Sequence, residues 1–253
     1  MVEPYFTNGT ATIYHGDCRE ILPSLTGDLV ITSPPYNMNL RITPNRKFIS
    51  RQCIPDEFSS KYQSYSDDLQ PAEYFNLLND VLTASLEACG HVCWNMQVTT
   101  GSKLSLAQLM GAHAESFKEL VIWDKGHGQP AMNDRTLNSA AELVIIFDSV
   151  DPRTRQFPQT GFGRGKRSNI WRIPRGKRTP GHKATFPEQL VQHCLDLYTN
   201  SETVIDPFMG TGTTLKVATE NGYKAIGIEM DEQYCEIAAK SLSSISVPLF
   251  TMT

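Results

Sequence analysis

Ser33-Pro34-Pro35-Tyr36 is the first run in the chain whose residue types suit a reaction. Consecutive prolines fix two backbone angles and remove two N–H donors, which leaves Ser33 and the Pro34 carbonyl as outward acceptors. Such a pair fits an amine. A planar aromatic amine is a poor nucleophile because its lone pair is delocalised into the ring. Acceptors that grip both N–H bonds draw the nitrogen towards tetrahedral geometry and free that pair. Tyr36 supplies a face on which the ring can stack. The run follows a short apolar segment, Asp28 to Thr32, and open α/β sheets hold their ligands at the carboxyl ends of strands. By itself the run reads equally well as a structural turn.

A second constellation spans Asp206-Pro207-Phe208-Met209-Gly210-Thr211-Gly212-Thr213-Thr214, between an apolar strand-like run and a helical pattern. A glycine-rich turn that opens a helix lets a ligand approach the backbone and meet helix N-terminal N–H groups. It is not a dinucleotide fingerprint, because Leu215 stands where the third glycine belongs, and it is not a P-loop, because Thr213 follows Gly212. Glu229 closes the next apolar run, where a carboxylate can accept both hydroxyls of a ribose. The turn and Glu229 together point to a nucleoside ligand.

Charge supplies a third signal. Of 23 basic residues, ten fall between Arg153 and Lys183, a stretch without a single Asp or Glu, which leaves 13 basic against 27 acidic residues elsewhere. Arg164, Lys166, Arg167, Arg175, Lys177 and Arg178 are its densest part. Local concentration of this kind on an acidic body is the footprint of a phosphate-backbone contact, although a solvated loop would look the same.

The elements that must position these residues alternate strand and helix. Ala11–Tyr14 and Asp28–Thr32 read as buried strands, residues 71 to about 89 as a helix stopped by Gly90, and His91–Asn95 as a strand. Lys103–His113 reads as a helix, and Phe117–Trp123 and Glu142–Phe147 as strands. Pro187–Tyr198 reads as a helix. The end is the cleanest part: strand 203–205, a helix to about Gly222, strand 225–228 and helix 231–242. Residues 37–68 form a long mobile loop in this reading, and 124–170 is the least core-like later stretch. The pattern predicts one doubly wound, mostly parallel α/β sheet.

Composition agrees: 253 residues, 40% hydrophobic, net charge −4, with no apolar stretch of membrane-spanning length, and Met1-Val2-Glu3-Pro4 leads to the expectation of no signal peptide. A soluble, cytoplasmic protein is expected. The six cysteines are scattered and read as free thiols, and no His or Cys shows metal spacing, so no metal is expected.

Taken together the motifs resemble the DNA amino-methyltransferases, through Thr32-Ser33-Pro34-Pro35-Tyr36-Asn37 and the 206–214 turn, with Gly16-Asp17-Cys18, Tyr65-Ser66-Asp67-Asp68-Leu69, Asn169 to Pro174 and Ile226 to Glu229 in support. Catalytic motif first and cofactor motif last is the order of the family's beta class, a permuted Rossmann-like methyltransferase. The resemblance covers nearly the whole chain and implies one methyltransferase domain over residues 1–253. The implied cofactor is S-adenosyl-L-methionine. Asp206, Phe208, Met209, Gly210, Gly212, Thr213 and Thr214 would surround its methionine part, Glu229 its ribose, and Met230 and Asp17 its adenine. Ser33, Pro34, Pro35 and Tyr36 would hold a base flipped out of double-stranded DNA.

Residues 124–183 would recognise the target, with the 37–68 loop facing DNA. Ala141 stands where the family often has His, leaving the role of Glu142 open. Phe186 stands where many adenine-modifying members carry Lys, which favours N4 of cytosine over N6 of adenine. Methylation of a protein glutamine and a catalytically silent DNA-binding module are the remaining readings. A homodimer and a companion restriction endonuclease stay open.

Overall fold

The computed structural model describes residues 2–37, 69–129, 134–135, 137–157, 160–174 and 187–245. Among these residues nine strands form one sheet: β1 (Phe6–Thr7), β2 (Ala11–His15), β3 (Leu29–Thr32), β4 (His91–Met96), β5 (Phe117–Gln129), β6 (Ser139–Asp148), β7 (Ile170–Arg172), β8 (Thr203–Asp206) and β9 (Lys224–Glu229). Their spatial order is β1-β2-β9-β8-β3-β4-β6-β5-β7. Strands β2, β9, β8, β3 and β4 are mutually parallel, while β6 runs against both β4 and β5.

Among the described residues six α-helices cover the two faces. They are α1 (Cys18–Ile21), α2 (Pro71–Cys89), α3 (Lys103–Ala112), α4 (Glu188–Leu195), α5 (Thr213–Glu220) and α6 (Glu232–Ser243). On one face Tyr74, Leu78 and Leu82 of α2 and Leu106 and Leu109 of α3 pack with Val30, Trp94 and Phe147. On the other, Leu190 and Val191 of α4, Leu215 of α5 and Ala238 and Leu242 of α6 pack with Ile31, Val204 and Ile146. A strand covered on both faces has no polar side, and so all four residues of β3 are buried.

Chain direction places the site. From β8 the chain winds through α5 to β9 on one side, and from β3 through α2 to β4 on the other. β8 and β3 are neighbours, so the winding reverses between them, and such a switch point opens a crevice at the strands' carboxyl ends. Both sequence motifs start there, after Thr32 and Asp206. The helix α2 begins at a capping box of Gln70 and Glu73 with Pro71 in its first turn, and ends on Gly90 at φ 74°.

The structure departs from the expected elements between 117 and 172. β5 continues past Trp123 to Gln129, so Asp124 to Gln129 are not loop but one arm of a hairpin with β6. Two strands join the seven expected from the sequence: β7 (Ile170–Arg172), parallel to β5, and β1 (Phe6–Thr7), antiparallel to β2. The sheet is therefore larger than the sequence pattern suggests, and residues 124–129, 139–148 and 170–172 belong to it. Among the described residues no helix is long and apolar enough to cross a membrane, and Cys18, Cys89, Cys93, Cys194 and Cys235 are free thiols.

Candidate active site

The turn after β8 is held from below. Met209 is buried and its amide donates to the Ile228 carbonyl at 3.1 Å. A Cβ on Gly227 would lie 2.4 Å from the Met209 sulfur, so the turn can settle on β9 only because position 227 has no side chain. Met209 thus shapes the turn from inside, and its side chain does not face the crevice. Gly210 (φ 53°) and Gly212 (φ 83°) occupy the left-handed region that glycine adopts without strain. A Cβ at 210 would meet nothing within 4 Å, whereas one at 212 would meet Ala238 of α6 at 2.9 Å. Position 210 borders open space and position 212 is a packing contact.

Glu229 binds the two halves of this site together. Its Oε2 accepts from the Gly210 amide and its Oε1 from the Asp231 amide, both at 2.9 Å. Each oxygen has a second lone pair for a ligand hydroxyl. Burial raises this carboxyl, and the Asp231 and Gly210 amides oppose the shift. Met230, next along, is 41% exposed, a large apolar side chain left on the rim. Thr213 and Thr214 begin α5, and Phe208 rests edge-on against Trp94. The open space at Gly210, the carboxylate beside it and the exposed Met230 fit an adenosine-bearing ligand. Asp17, placed at the end of β2, caps α1 through the Arg19 amide and is gripped by the Arg19 guanidinium at 2.5 to 3.1 Å. Any contact to adenine competes with that pairing.

Asp206 lies between the two motifs, 4% exposed. Its Oδ1 accepts from Thr32 at 2.7 Å and from the Phe208 amide at 3.1 Å. Burial pushes its carboxyl up to about 6, against the opposing hydrogen bonds of Thr214, Thr32 and Phe208. The folded chain therefore holds this proton more tightly than the unfolded chain. Its stabilising contribution is complete below the unfolded value and is lost as pH rises through about 6. Asp206→Asn keeps the acceptor without the charge. It is expected to gain about 2 kcal/mol over the parent at pH 7.5, and much less at pH 4.5. Urea melts at both pH values check this, and a pH-independent difference would contradict it.

At the end of β3 the amine motif is anchored on either side of its centre. Tyr74 of α2 donates to the Pro35 carbonyl at 2.6 Å, and Thr99 donates to the Tyr36 carbonyl at 3.4 Å. Among the described residues none donates to the Pro34 carbonyl. Asn37 follows at φ 49°, its amide nitrogen on the Leu69 carbonyl. A Cβ at Gly101 would fall 1.8 Å from the Asn37 carbonyl oxygen, so any side chain there must push the motif away.

Ser33 Oγ lies 3.0 Å from the Tyr36 hydroxyl and 3.2 Å from Asn95 Oδ1, and the Tyr36 hydroxyl lies 2.8 Å from the same Oδ1. Asn95 Nδ2 donates to the Leu143 carbonyl, which fixes Oδ1 as the atom facing both hydroxyls. Tyr36 also donates to Glu142 Oε2 at 2.9 Å, and Glu142 Oε1 is paired with Lys125 Nζ at 3.0 Å. Glu142 is 8% exposed and the Lys125 side chain is fully buried. Asn95, Glu142 and Lys125 come from β4, β6 and β5, so three strands converge on the motif. Asn95 and Lys125 had no sequence signal. The parallel register that pairs Thr32 with Trp94 brings Asn95 beside Ser33.

The basic segment is divided. β6 descends to the amino-terminal edge of the sheet, where Ser149 pairs with Gly90 and Arg155 with Glu119 near the start of β5. Arg164, Lys166 and Arg167 belong to the chain that crosses this edge before β7 rises beside β5. Arg167 pairs with Asp196 at 2.5 Å, just after α4. Arg167 and the residues leading into β7 thus lie towards the amino-terminal edge of the sheet, opposite the edge that carries Ser33. Among the described basic residues of this segment, Arg172, at the carboxyl end of β7, is the one that comes up on the catalytic side. Arg175, Lys177, Arg178 and Phe186 lie outside the described residues, as do 38–68 and Cys53. Among the described residues no group of His, Cys, Asp and Glu is arranged to hold a metal.

A permuted methyltransferase sheet with a nucleoside turn and an amine motif at one switch point defines an S-adenosylmethionine-dependent methyltransferase. Residues 27–240 match the N6_N4_Mtase family model, described as DNA methylase, and the chain belongs to that family of DNA amino-methyltransferases. The Type II methyltransferase M.ScaI of Streptomyces caespitosus is 25% identical over 98% of this chain and 86% of its own length. M.XycI of Xanthomonas campestris pv. cyanopsidis, also Type II, is 28% identical over 95% and 90%. The solved structure of PvuII DNA methyltransferase, named as cytosine-N4-specific, aligns with a TM-score of 0.67 at 19% identity, covering 96% of this chain and 90% of that one. M1.HpyAVI, solved as a SAM complex, aligns at 0.61 with 18% identity, covering 92% and 98%.

Proposed function

We propose that the chain methylates the N4 amine of cytosine in double-stranded DNA, holding the flipped base at Ser33, Pro34, Pro35 and Tyr36. The observation that carries this reading is the Ser33 hydroxyl. Its proton has two acceptors facing inwards, Asn95 Oδ1 and the Tyr36 oxygen, so a lone pair is left to face the crevice. The Pro34 carbonyl is the second acceptor. Between them they grip the amine by a neutral hydroxyl and a carbonyl, with no carboxylate in contact.

S-adenosylmethionine, when bound, supplies an electrophilic sulfonium methyl. The chain's own residues orient the two partners. Glu229 and the Gly210 turn fix the nucleoside, Met230 covers its base, Asp206 and Phe208 border the space towards Ser33, and the Tyr36 ring supports the target base. No covalent enzyme adduct is required, and no Pro-Cys dipeptide exists to form one.

The cytosine-N4 name of the PvuII structure supports the choice of base by fold likeness, and Phe186 in place of Lys supports it by sequence. N6 of adenine is the second reading. Phosphate contacts are proposed for Arg175, Lys177 and Arg178, which follow Arg172 and the catalytic end of β7. A duplex presented to Ser33 leaves Arg164, Lys166 and Arg167 on the far edge. The Type II names of M.ScaI and M.XycI support a companion restriction endonuclease.

Mass spectrometry of nucleosides from DNA incubated with the protein and S-adenosylmethionine tests the base. N4-methylcytosine is expected, and N6-methyladenine without it would overturn the cytosine assignment.

A further inference from the structure

We propose that Glu142, held by Lys125, is the terminal acceptor of a proton relay that runs from the target amine through Ser33 and the Tyr36 hydroxyl. This rests on the reading of Ser33 as the amine's acceptor. An amine that gains a methyl must lose a proton, and the crevice offers few places for it. Asn95 is an amide and takes no proton at working pH. The path through Ser33 Oγ, Tyr36 Oη and Glu142 Oε2 has links of 3.0 and 2.9 Å and ends on a carboxylate.

The step balances as follows. The target nitrogen forms its bond to the methyl, the pair of the broken carbon–sulfur bond stays on sulfur, and one N–H bond breaks towards Ser33 Oγ. Ser33 passes its own proton to the Tyr36 oxygen, and Tyr36 passes its proton to Glu142 Oε2. Glu142 is left as a carboxyl, which gives its proton to water when the product leaves. Lys125 stays bonded to Oε1 throughout, so the oxygen that takes the proton is set by the structure. Asn95 Oδ1, within reach of both hydroxyls, is an alternative acceptor for either proton and does not join the transfer.

Glu142 and Lys125 therefore act through Tyr36 as positioning and proton-accepting groups, and neither touches the substrate. This gives the β5–β6 hairpin a part in the reaction, and it gives Tyr36 a role for its hydroxyl beyond the ring face that stacks on the base. Ala141, which replaces a common His beside Glu142, adds no competing titratable group to the relay.

The test is single-turnover methyl transfer with saturating DNA and S-adenosylmethionine, in water and in mixtures with heavy water. Tyr36→Phe keeps the ring and leaves the Lys125–Glu142 pair whole, so it breaks the relay without exposing a buried charge. Glu142→Gln is the second variant. The wild type is expected to slow in heavy water with a curved dependence on deuterium fraction, the mark of more than one proton in flight. Both variants are expected to slow roughly 10- to 100-fold with a linear or flat dependence, a loss of the size attributed to a positioned proton-transfer group. Affinities for DNA and S-adenosylmethionine should stay within about twofold, the mark of a group that acts only in the transition state. Wild-type speed in Tyr36→Phe, a curved dependence that survives in both slowed variants, or a wild type insensitive to heavy water would each overturn the relay. A wild type that methylates no exocyclic amine would overturn the functional reading instead, before any variant is compared.

Discussion

Glu229→Ala and Gly210→Leu are each expected to weaken S-adenosylmethionine binding by roughly 10²-fold or more while the chain remains folded. For Glu229 the loss comes from the two lone pairs left over after the Gly210 and Asp231 amides are satisfied. Hydrogen bonds to a charged acceptor contribute about 1.5 to 3 kcal/mol each, so two ribose hydroxyls account for the factor. Removing the carboxylate also strands those two amides beside the crevice, where water can replace it, and a modest fall in melting temperature should accompany the loss.

Gly210→Leu acts differently. The space around a Cβ at 210 is open in the protein alone, so the leucine finds room without a clash, at a strain cost of about 1 kcal/mol for its positive φ. The room it takes is the room assigned to the ligand. Titration calorimetry on both variants, with melts to establish folding, reads the result directly. Unchanged affinity in both would remove the nucleoside site from this turn.

The parts of this account that were legible in the sequence share a cause. β3 and β8 are central parallel strands buried on both faces, so they stand out as short apolar runs, and each ends in a turn whose composition is dictated by backbone geometry: two prolines in one, two positive-φ glycines in the other. Glu229 was legible because it ends the next strand of the same winding. These are local signals.

What the sequence hid was long-range or lacked a pattern. Asn95 was placed on a strand, yet its neighbour at Ser33 is 62 residues away and depends on the parallel register of β3 and β4. Asp124 to Gln129 read as loop because an edge hairpin needs little apolar alternation, and among the described side chains there the buried one, Lys125, is charged. β7 is three residues long and is masked by the basic residues around it, although Trp171 and Ile173 both turn inwards. The charge run itself carries no direction. A stretch that looks like one DNA-binding surface along the chain is spread over both edges of the sheet once β6 descends and β7 returns.

The central claim is that methyl transfer takes place at Ser33, and the most direct measurement compares wild type with Ser33→Ala in single-turnover transfer of labelled methyl to duplex DNA. Alanine removes the oxygen that grips the amine and starts the relay, yet changes no residue of the nucleoside turn. The expected result is a rate reduced roughly 10²- to 10³-fold, the usual cost of losing one positioned group at a reacting centre, with S-adenosylmethionine affinity unchanged. A Ser33→Ala protein that transfers methyl at the wild-type rate would contradict the account and move the reaction away from this crevice.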